Sequence, residues 1–381
     1  MTTSQNPLIL YGAPCSLYTA KARACLRKNA IPFEERFQSH PRYRDVVLKA
    51  ANNHRIPVVE FPDGAIVQDS TLIIDELQKR NSSITSPTGP LHIIELLVES
   101  FADRSLLKAA MHYRWNFPEE NLDFIVGEFG RILSFTSPQN WDEAGRSIAG
   151  RMSAYLPPLG ITPESIPGIE SAYLKLLAAM NAHFKAHPYI LGSRPSRADY
   201  GLMGPLFAHL GRDPYPVRIM LQKATLVYRW TERMNAPETT SPEFPDVQPA
   251  WVDPAALPDT LVDVLQRICI EYVPELTQTA KAFEAWVASH PDAAPGTPVS
   301  PKADQPSFGP IEYQLEGSTV RQQSAGHTMW MHQRMMDAYA ALPQAQQELT
   351  QRLFASFGAQ SILTLPAPRR LSRLQNRLSL A

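Results

Sequence analysis

The chain has 381 residues, 44% of them apolar and 19% charged, with 36 Lys and Arg against 37 Asp and Glu for a net charge of −1. This is the balance of a folded protein longer than one hydrophobic core sustains. It excludes a disordered chain and lacks the broad basic surface of a nucleic-acid binder.

Three cysteines (Cys15, Cys25 and Cys269) make no disulfide framework. The opening "MTTSQNPLIL" lacks the basic start and full apolar stretch of a secretory signal. No run approaches the roughly 20 apolar residues of a membrane span. The expectation is therefore a soluble cytoplasmic protein with no membrane and no nucleic-acid partner.

In chain order, "LILY" (8–11) is a short apolar run stopped by Gly12 and Pro14, the pattern of a buried strand. Residues 18–29 set Ala22, Cys25 and Leu26 on one helical face and Lys21, Arg23, Arg27 and Lys28 on the other, an amphipathic helix. "PFEERF" (32–37) reads as a second strand and "RYRDVVLKA" (42–50) as a short helix. "PVVEF" and "AIVQ" flank Pro62-Asp63-Gly64, where proline presets φ and glycine accepts a positive φ, so they form a hairpin. "DSTLIIDELQKR" (69–80) closes the unit as a helix, with Ile73, Ile74 and Leu77 at helical spacing and basic residues at its end. The order βαβαββα, with a parallel opening pair and an antiparallel closing hairpin, is thioredoxin-like.

Three details in this unit bear on chemistry. Pro57 stands where a strand begins, which suits a strand start or a cis turn. Asp69-Ser70 opens a helix, where free N–H groups favour a bound carboxylate, although for the sequence read in isolation a plain N-cap is the better account of Ser70. Cys15 and Ser16 sit side by side before the first helix, and either hold the turn or act there.

Three stretches, "LYGAPCSLYTAKAR", "RIPVVEFPDGAIVQDSTLIIDEL" and "HPYILGSRPSRADYGLMGPLFAHL", resemble the glutathione transferase family. The resemblance implies a thioredoxin-like domain that binds glutathione as cosubstrate, followed by an all-α domain. It implies that Pro57 is cis, that the backbone of Ile56 pairs with the cysteinyl unit, and that Asp69 and Ser70 hold the γ-glutamyl end. Counting back from Lys21 and Arg23 puts Ser16 where serine- and cysteine-type members keep the residue that serves the glutathione sulfur. Cys15 lies one position away, and a thiol near a helix N-terminus with basic residues downstream is a second candidate. Tyr11, at the end of the first strand, matches the place of the hydroxyl in tyrosine-type members and ranks third. Ser196 to Asp199 form a helix-capping box with no catalytic role.

The resemblance covers 1–80 and about 165–235, and the rest departs from it. Helical periodicity runs through 91–113, 119–135, 169–186, 198–210, 217–234, 259–286 and 328–357. "IEYQLEGSTVRQQ" reads as a small hairpin, and the tail "PRRLSRLQNRLSLA" as a docked last helix. Proline-dense stretches at 236–260 and 290–310 read as surface connectors. "MHYRWNFPEEN" (111–121) reads as a helix end rather than a pocket wall, and the methionines around Trp330 as core. His327 and His332, five apart, do not share a helical face, so no metal site is expected.

The domains expected are a thioredoxin-like unit (1–80), a helical domain with an insertion (81–258) and a mostly helical extension (259–381). The functional expectation is a glutathione transferase acting on a hydrophobic electrophile, with a homodimer implied by the resemblance. A non-catalytic scaffold of the same fold and a monothiol reductase working through Cys15 are the alternatives.

Overall fold

A computed structural model describes residues 7–134, 136–237, 242–300 and 306–381. The first six residues, on which the reading of the N-terminus partly rests, lie outside the described residues, as do 238–241 and 301–305 of the two connectors.

The first domain has β1 (Leu8–Tyr11), α1 (Leu17–Lys28), β2 (Phe33–Arg36), a π-helical turn at Tyr43–Val47 running into α2 (Leu48–Ala51), β3 (Val58–Glu60), β4 (Ile66–Gln68) and α3 (Ser70–Arg80). The sheet order is β2-β1-β3-β4. β1 and β2 are parallel, and β1–β3 and β3–β4 antiparallel, so this domain is thioredoxin-like. Alternation along β1 sends Leu8 and Leu10 into the main core and Tyr11 to the opposite face, against Tyr43, Val47 and Val58.

The helical domain follows as α4 (Pro90–Arg104), α5 (Leu107–Trp115), α6 (Pro118–Ser134), α7 (Trp141–Ser153), α8 (Ile166–His183), α9 (Arg197–Ala208), α10 (Pro214–Lys223) and α11 (Thr225–Asn235). Three predicted helical stretches are each split in the structure, at Ser105–Leu106, at Ala224 and at Ala341–Pro343. The helix α7 was not expected from its sequence. Its Gly145, and Gly130 of α6, are packing residues: a Cβ would stand 2.2 Å from the Val126 carbonyl and 2.3 Å from the Trp141 carbonyl respectively.

Beyond residue 258 come α12 (Asp259–Ser289), β5 (Pro310–Leu315), β6 (Ser318–Gln323), α13 (Gly326–Ala340), α14 (Gln344–Ser356), β7 (Leu371–Leu374) and β8 (Arg377–Leu380). The β5–β6 hairpin turns at Glu316-Gly317, as its sequence indicated. The expected last helix is instead the β7–β8 hairpin. Gln375 and Asn376 take φ of 48° and 60°, the doubly left-handed geometry of a two-residue hairpin turn.

This extension shares the core rather than forming a separate lobe. One cluster of buried apolar side chains runs from Leu8 through Val98, Leu176 and Leu265 to Leu380. Charged pairs tie it in as well. Lys108 of α5 is buried and lies 2.7 Å from Glu275 and 3.2 Å from Glu271 of α12.

The basic face expected for α1 is also internal, because each cation finds a partner from a distant segment. Lys21 is fully buried, 2.7 Å from Glu99 and 2.6 Å from Asp103 of α4, and donates to Thr71 at 2.9 Å. Arg23 pairs with Glu35 of β2, and Lys28 donates to the Arg233 carbonyl at 3.0 Å. Burying a charge is tolerated only when it is paired, so the contacts of Lys21 with Glu99 and Asp103 and of Lys28 with the Arg233 carbonyl help fix how the first domain sits on the second.

Candidate site at the mouth of the first domain

The loop after β1 is made tight by Gly12, where a Cβ would overlap Thr19 Cγ2 at 2.2 Å. Ser16 then caps α1: its Oγ accepts from the Thr19 N–H at 3.3 Å. The cap uses one lone pair and leaves the hydroxyl proton free to be donated. Ser16 is half-buried.

Cys15 has a different environment. It is buried with Ala13 and Ile132, against Ile56, Phe37 and Phe129. Burial pushes its thiol pKa up, with Arg114 and Arg212 opposing only in part. Its carbonyl accepts from Arg114 Nη1 at 3.1 Å, and Arg114 is itself clamped by both oxygens of Asp213 at 2.6 and 2.8 Å. Arg114, read as part of a helix end, is thus also a brace for the loop that carries Cys15 and Ser16.

Tyr11 does not share this mouth. Its ring is buried beside Tyr43, with centroids 5.5 Å apart, and its hydroxyl donates to Glu60 at 3.1 Å. Burial and the Glu60 charge raise its pKa.

The Ile56–Pro57 peptide is cis. Ile56 packs on the loop of Ala13 and Cys15, and the Pro57 carbonyl accepts the Asp69 N–H at 3.4 Å. The loop before α1, the cis-proline turn and the start of α3 therefore adjoin.

Asp69 caps α3, taking the Thr71 N–H at 2.9 Å, with φ of 87° and ψ of 128°. A non-glycine residue in that region is strained and persists only where its surroundings hold it. Burial alone would raise its carboxyl pKa, but Arg373 foremost, with Lys21, outweighs burial and holds it below the usual carboxylate range. Ser70 is buried, and its hydroxyl makes no hydrogen bond among the described residues.

Two parts of the site had no local signal in the sequence. The α6–α7 pair roofs the mouth: Phe129 and Ile132 pack on the Cys15 loop, and Ser39 donates to the Ile132 carbonyl at 2.5 Å. Beside it, between α5, α6 and α7, lies a pocket of about 300 Å³, lined by Leu122, Ile125, Ala149 and Gly150 and by Arg114, Trp115 and Pro118, so the 111–121 stretch expected to be only a helix end is also a pocket wall. The other is Arg373 of β7, which reaches Asp69 across 304 residues at 2.9 Å. Among the described residues no group of His, Cys, Asp and Glu could hold a metal ion, and no helix is long and apolar enough to cross a membrane.

The comparisons with known proteins bear on this geometry. Residues 10–84 match the family model of the glutathione S-transferase N-terminal domain, and residues 170–238 that of the C-terminal domain. No curated protein sequence matches the chain. Among solved structures, a glutathione S-transferase from Xanthobacter autotrophicus is 18% identical, covering 60% of this chain and 93% of its own, with a TM-score of 0.29. One from Methylobacterium radiotolerans, in complex with glutathione sulfonate, is 15% identical over 65% of this chain and 99% of its own, TM-score 0.37. A β-etherase from Sphingobium is 17% identical over 62% and 96%, TM-score 0.37. The two domain matches, and not these overlaps, carry the assignment.

Proposed function

We propose that this chain, which belongs to the glutathione S-transferase family, binds glutathione on its first domain and holds the thiolate with Ser16 for attack on a hydrophobic electrophile. The observation that carries the reading is the meeting of the Ile56–Pro57 turn with the strained, half-buried acid Asp69 at the start of α3, next to the loop that carries Ser16, whose proton is free.

The chemistry follows from the residues. A tripeptide with an ammonium and two carboxylates needs an acid and free N–H groups, which Asp69 and the first turn of α3 supply. In this reading the backbone of Ile56 pairs with the cysteinyl unit. At neutral pH the glutathione thiol is mostly protonated. A hydroxyl donating from Ser16 at the N-terminus of α1 favours the thiolate, each unit of lowered pKa corresponding to about 1.4 kcal/mol. The thiolate sulfur then forms a bond to the electrophilic atom as the leaving group departs with its electron pair. The pocket of Trp115, Leu122 and Ile125 is an apolar place for that substrate. Cys15 offers no comparable thiolate, since burial favours its neutral form.

The test is Ser16→Gly, because glycine keeps most of the capping stability, losing only a few tenths of a kcal/mol, while removing the donor. Turnover with a model aryl halide should fall by about a hundredfold, the usual loss for one donor at a developing or stored anion. The thiolate absorbance of bound glutathione should titrate at higher pH. An unchanged rate and an unchanged titration would sink the assignment of Ser16.

A further inference from the structure

We propose that Arg373, on the β7–β8 hairpin, is a ligand-binding residue that reads the α-carboxylate of the γ-glutamyl end held at Asp69, so that this part of the site recognises a zwitterion. The proposal deepens the glutathione reading above and rests on it.

Arg373 is built into the site from two sides. Its Nη1 lies 2.9 Å from Asp69 Oδ2, and its Nη2 lies 2.9 Å from Gln68 Oε1 and 3.4 Å from the Asn376 carbonyl. Its guanidinium carbon stands 5.7 Å from the centre of the Trp330 ring. The hairpin behind it is anchored in the extension. The Leu371 N–H donates to Gln333 at 2.8 Å, the Val299 N–H to the Leu378 carbonyl at 3.1 Å, and Leu371, Leu378 and Leu380 are buried. Its turn is pinned to the first domain, where Asn376 donates to the Ala51 carbonyl at 2.6 Å and accepts from Asn53 at 3.3 Å. A guanidinium held this way is a wall of the site and not a swinging lid.

Two unpaired groups point to a ligand. Arg373 Nε is buried without a hydrogen-bond partner among the described residues, although both Nη atoms are used. The Ser70 hydroxyl, on a residue 3% exposed at the first turn of α3, is also without one. A buried donor without an acceptor, as at Arg373 Nε, is rare and asks for an explanation. A carboxylate set against the start of α3 would accept from Arg373 Nε, from Ser70 and from the first-turn N–H groups that have no intrahelical acceptor.

Charge gives the same answer. Arg373 already neutralises Asp69, so a lone ammonium would meet a nearly neutral pair. An amino-acid end presents an ammonium to Asp69 and a carboxylate to Arg373 together, and both gain. His327 beside them stays uncharged at neutral pH, since burial pushes its pKa down to about 3, and it does not take over the role of the arginine.

The experiment is calorimetric titration of the full chain with glutathione and with γ-aminobutyryl-cysteinyl-glycine, which keeps the amine and lacks the α-carboxylate. The wild type should prefer glutathione by about tenfold to a hundredfold, the worth of a charge-assisted hydrogen bond. Arg373→Ala should erase that preference by weakening glutathione while tightening the analogue, whose ammonium then meets an Asp69 that no arginine neutralises. Equal affinity of the wild type for the two ligands overturns the role of Arg373 without any variant, and leaves the glutathione reading standing. Tighter glutathione binding by Arg373→Ala overturns it too, since it would make the arginine a competitor for Asp69. Binding of neither ligand by the wild type overturns the glutathione reading, and this inference with it.

Discussion

His332 of α13 gives a clean test of how the extension is packed on the core. The residue is 1% exposed, and neither ring nitrogen finds a partner among the described residues. Burial pushes its pKa from 6.5 down to about 4. The folded value lies below the unfolded one, so its contribution to stability is fully present above 6.5 and is lost as pH falls toward 4. At about 1.4 kcal/mol for each tenfold change in proton affinity, lowering the pH from about 7.5 to about 5 should remove about 2 kcal/mol. In His332→Leu this loss should vanish, and the variant should gain about 1 kcal/mol or more at neutral pH, because a buried polar group without partners has been removed. Unfolding entropy near 2.1 cal/mol/K per residue over 381 residues makes 2 kcal/mol about 2–3 °C in Tm. The assay is calorimetric melting of both proteins at the two pH values. If the gap between variant and wild type does not widen at low pH, or the variant is the less stable at neutral pH, His332 is solvated or bonded and the reasoning fails.

Other outcomes follow from the same structure. Cys15→Ala should keep turnover within a few fold and cost about 1 kcal/mol of stability for the small cavity; loss of activity alongside a glutathione adduct on Cys15 in the wild type, read by mass spectrometry, would favour a thiol mechanism instead. Gly150→Leu sends a side chain from α7 into open space at the pocket, since a Cβ there meets nothing within 4 Å. It should raise KM for a bulky electrophile with glutathione affinity unchanged, and raise Tm slightly through helix propensity; an unaltered KM would remove that pocket from the substrate's path. Lys21→Met leaves Glu99 and Asp103 buried without their shared cation, and should cost about 3–5 kcal/mol in chemical denaturation; a cost below about 1 kcal/mol would show that the domain interface does not depend on it.

How far the sequence could be read depends on how local each feature is. The thioredoxin-like unit was legible because strand alternation, the Pro62-Asp63-Gly64 turn and the Asp69-Ser70 helix start are set by neighbours in the chain. The β7–β8 hairpin was not, because Leu371, Leu374 and Leu378 satisfy a helical spacing. What decided for strands was the left-handed turn at Gln375-Asn376 and the docking of Leu371, Leu378 and Leu380. Helix α7 lies outside the helical stretches read from the sequence; in the structure its Gly145 lets two helices touch.

The candidate residues Ser16, Cys15, Tyr11, Ile56, Pro57, Asp69 and Ser70 could all be named from the sequence, because the stretches that hold them resemble the glutathione transferase family. Their surroundings could not. Tyr11 is turned to the far face by strand alternation, and Cys15 is sealed by Ile132 of a helix more than a hundred residues away. Periodicity, turn chemistry and capping, which act over a few residues, determined the order of elements in the first domain. Burial and charge pairing, which join segments remote in the chain, were decided only by the tertiary structure: Lys21 enclosed by α4, and Arg373 set on Asp69 from the last hairpin.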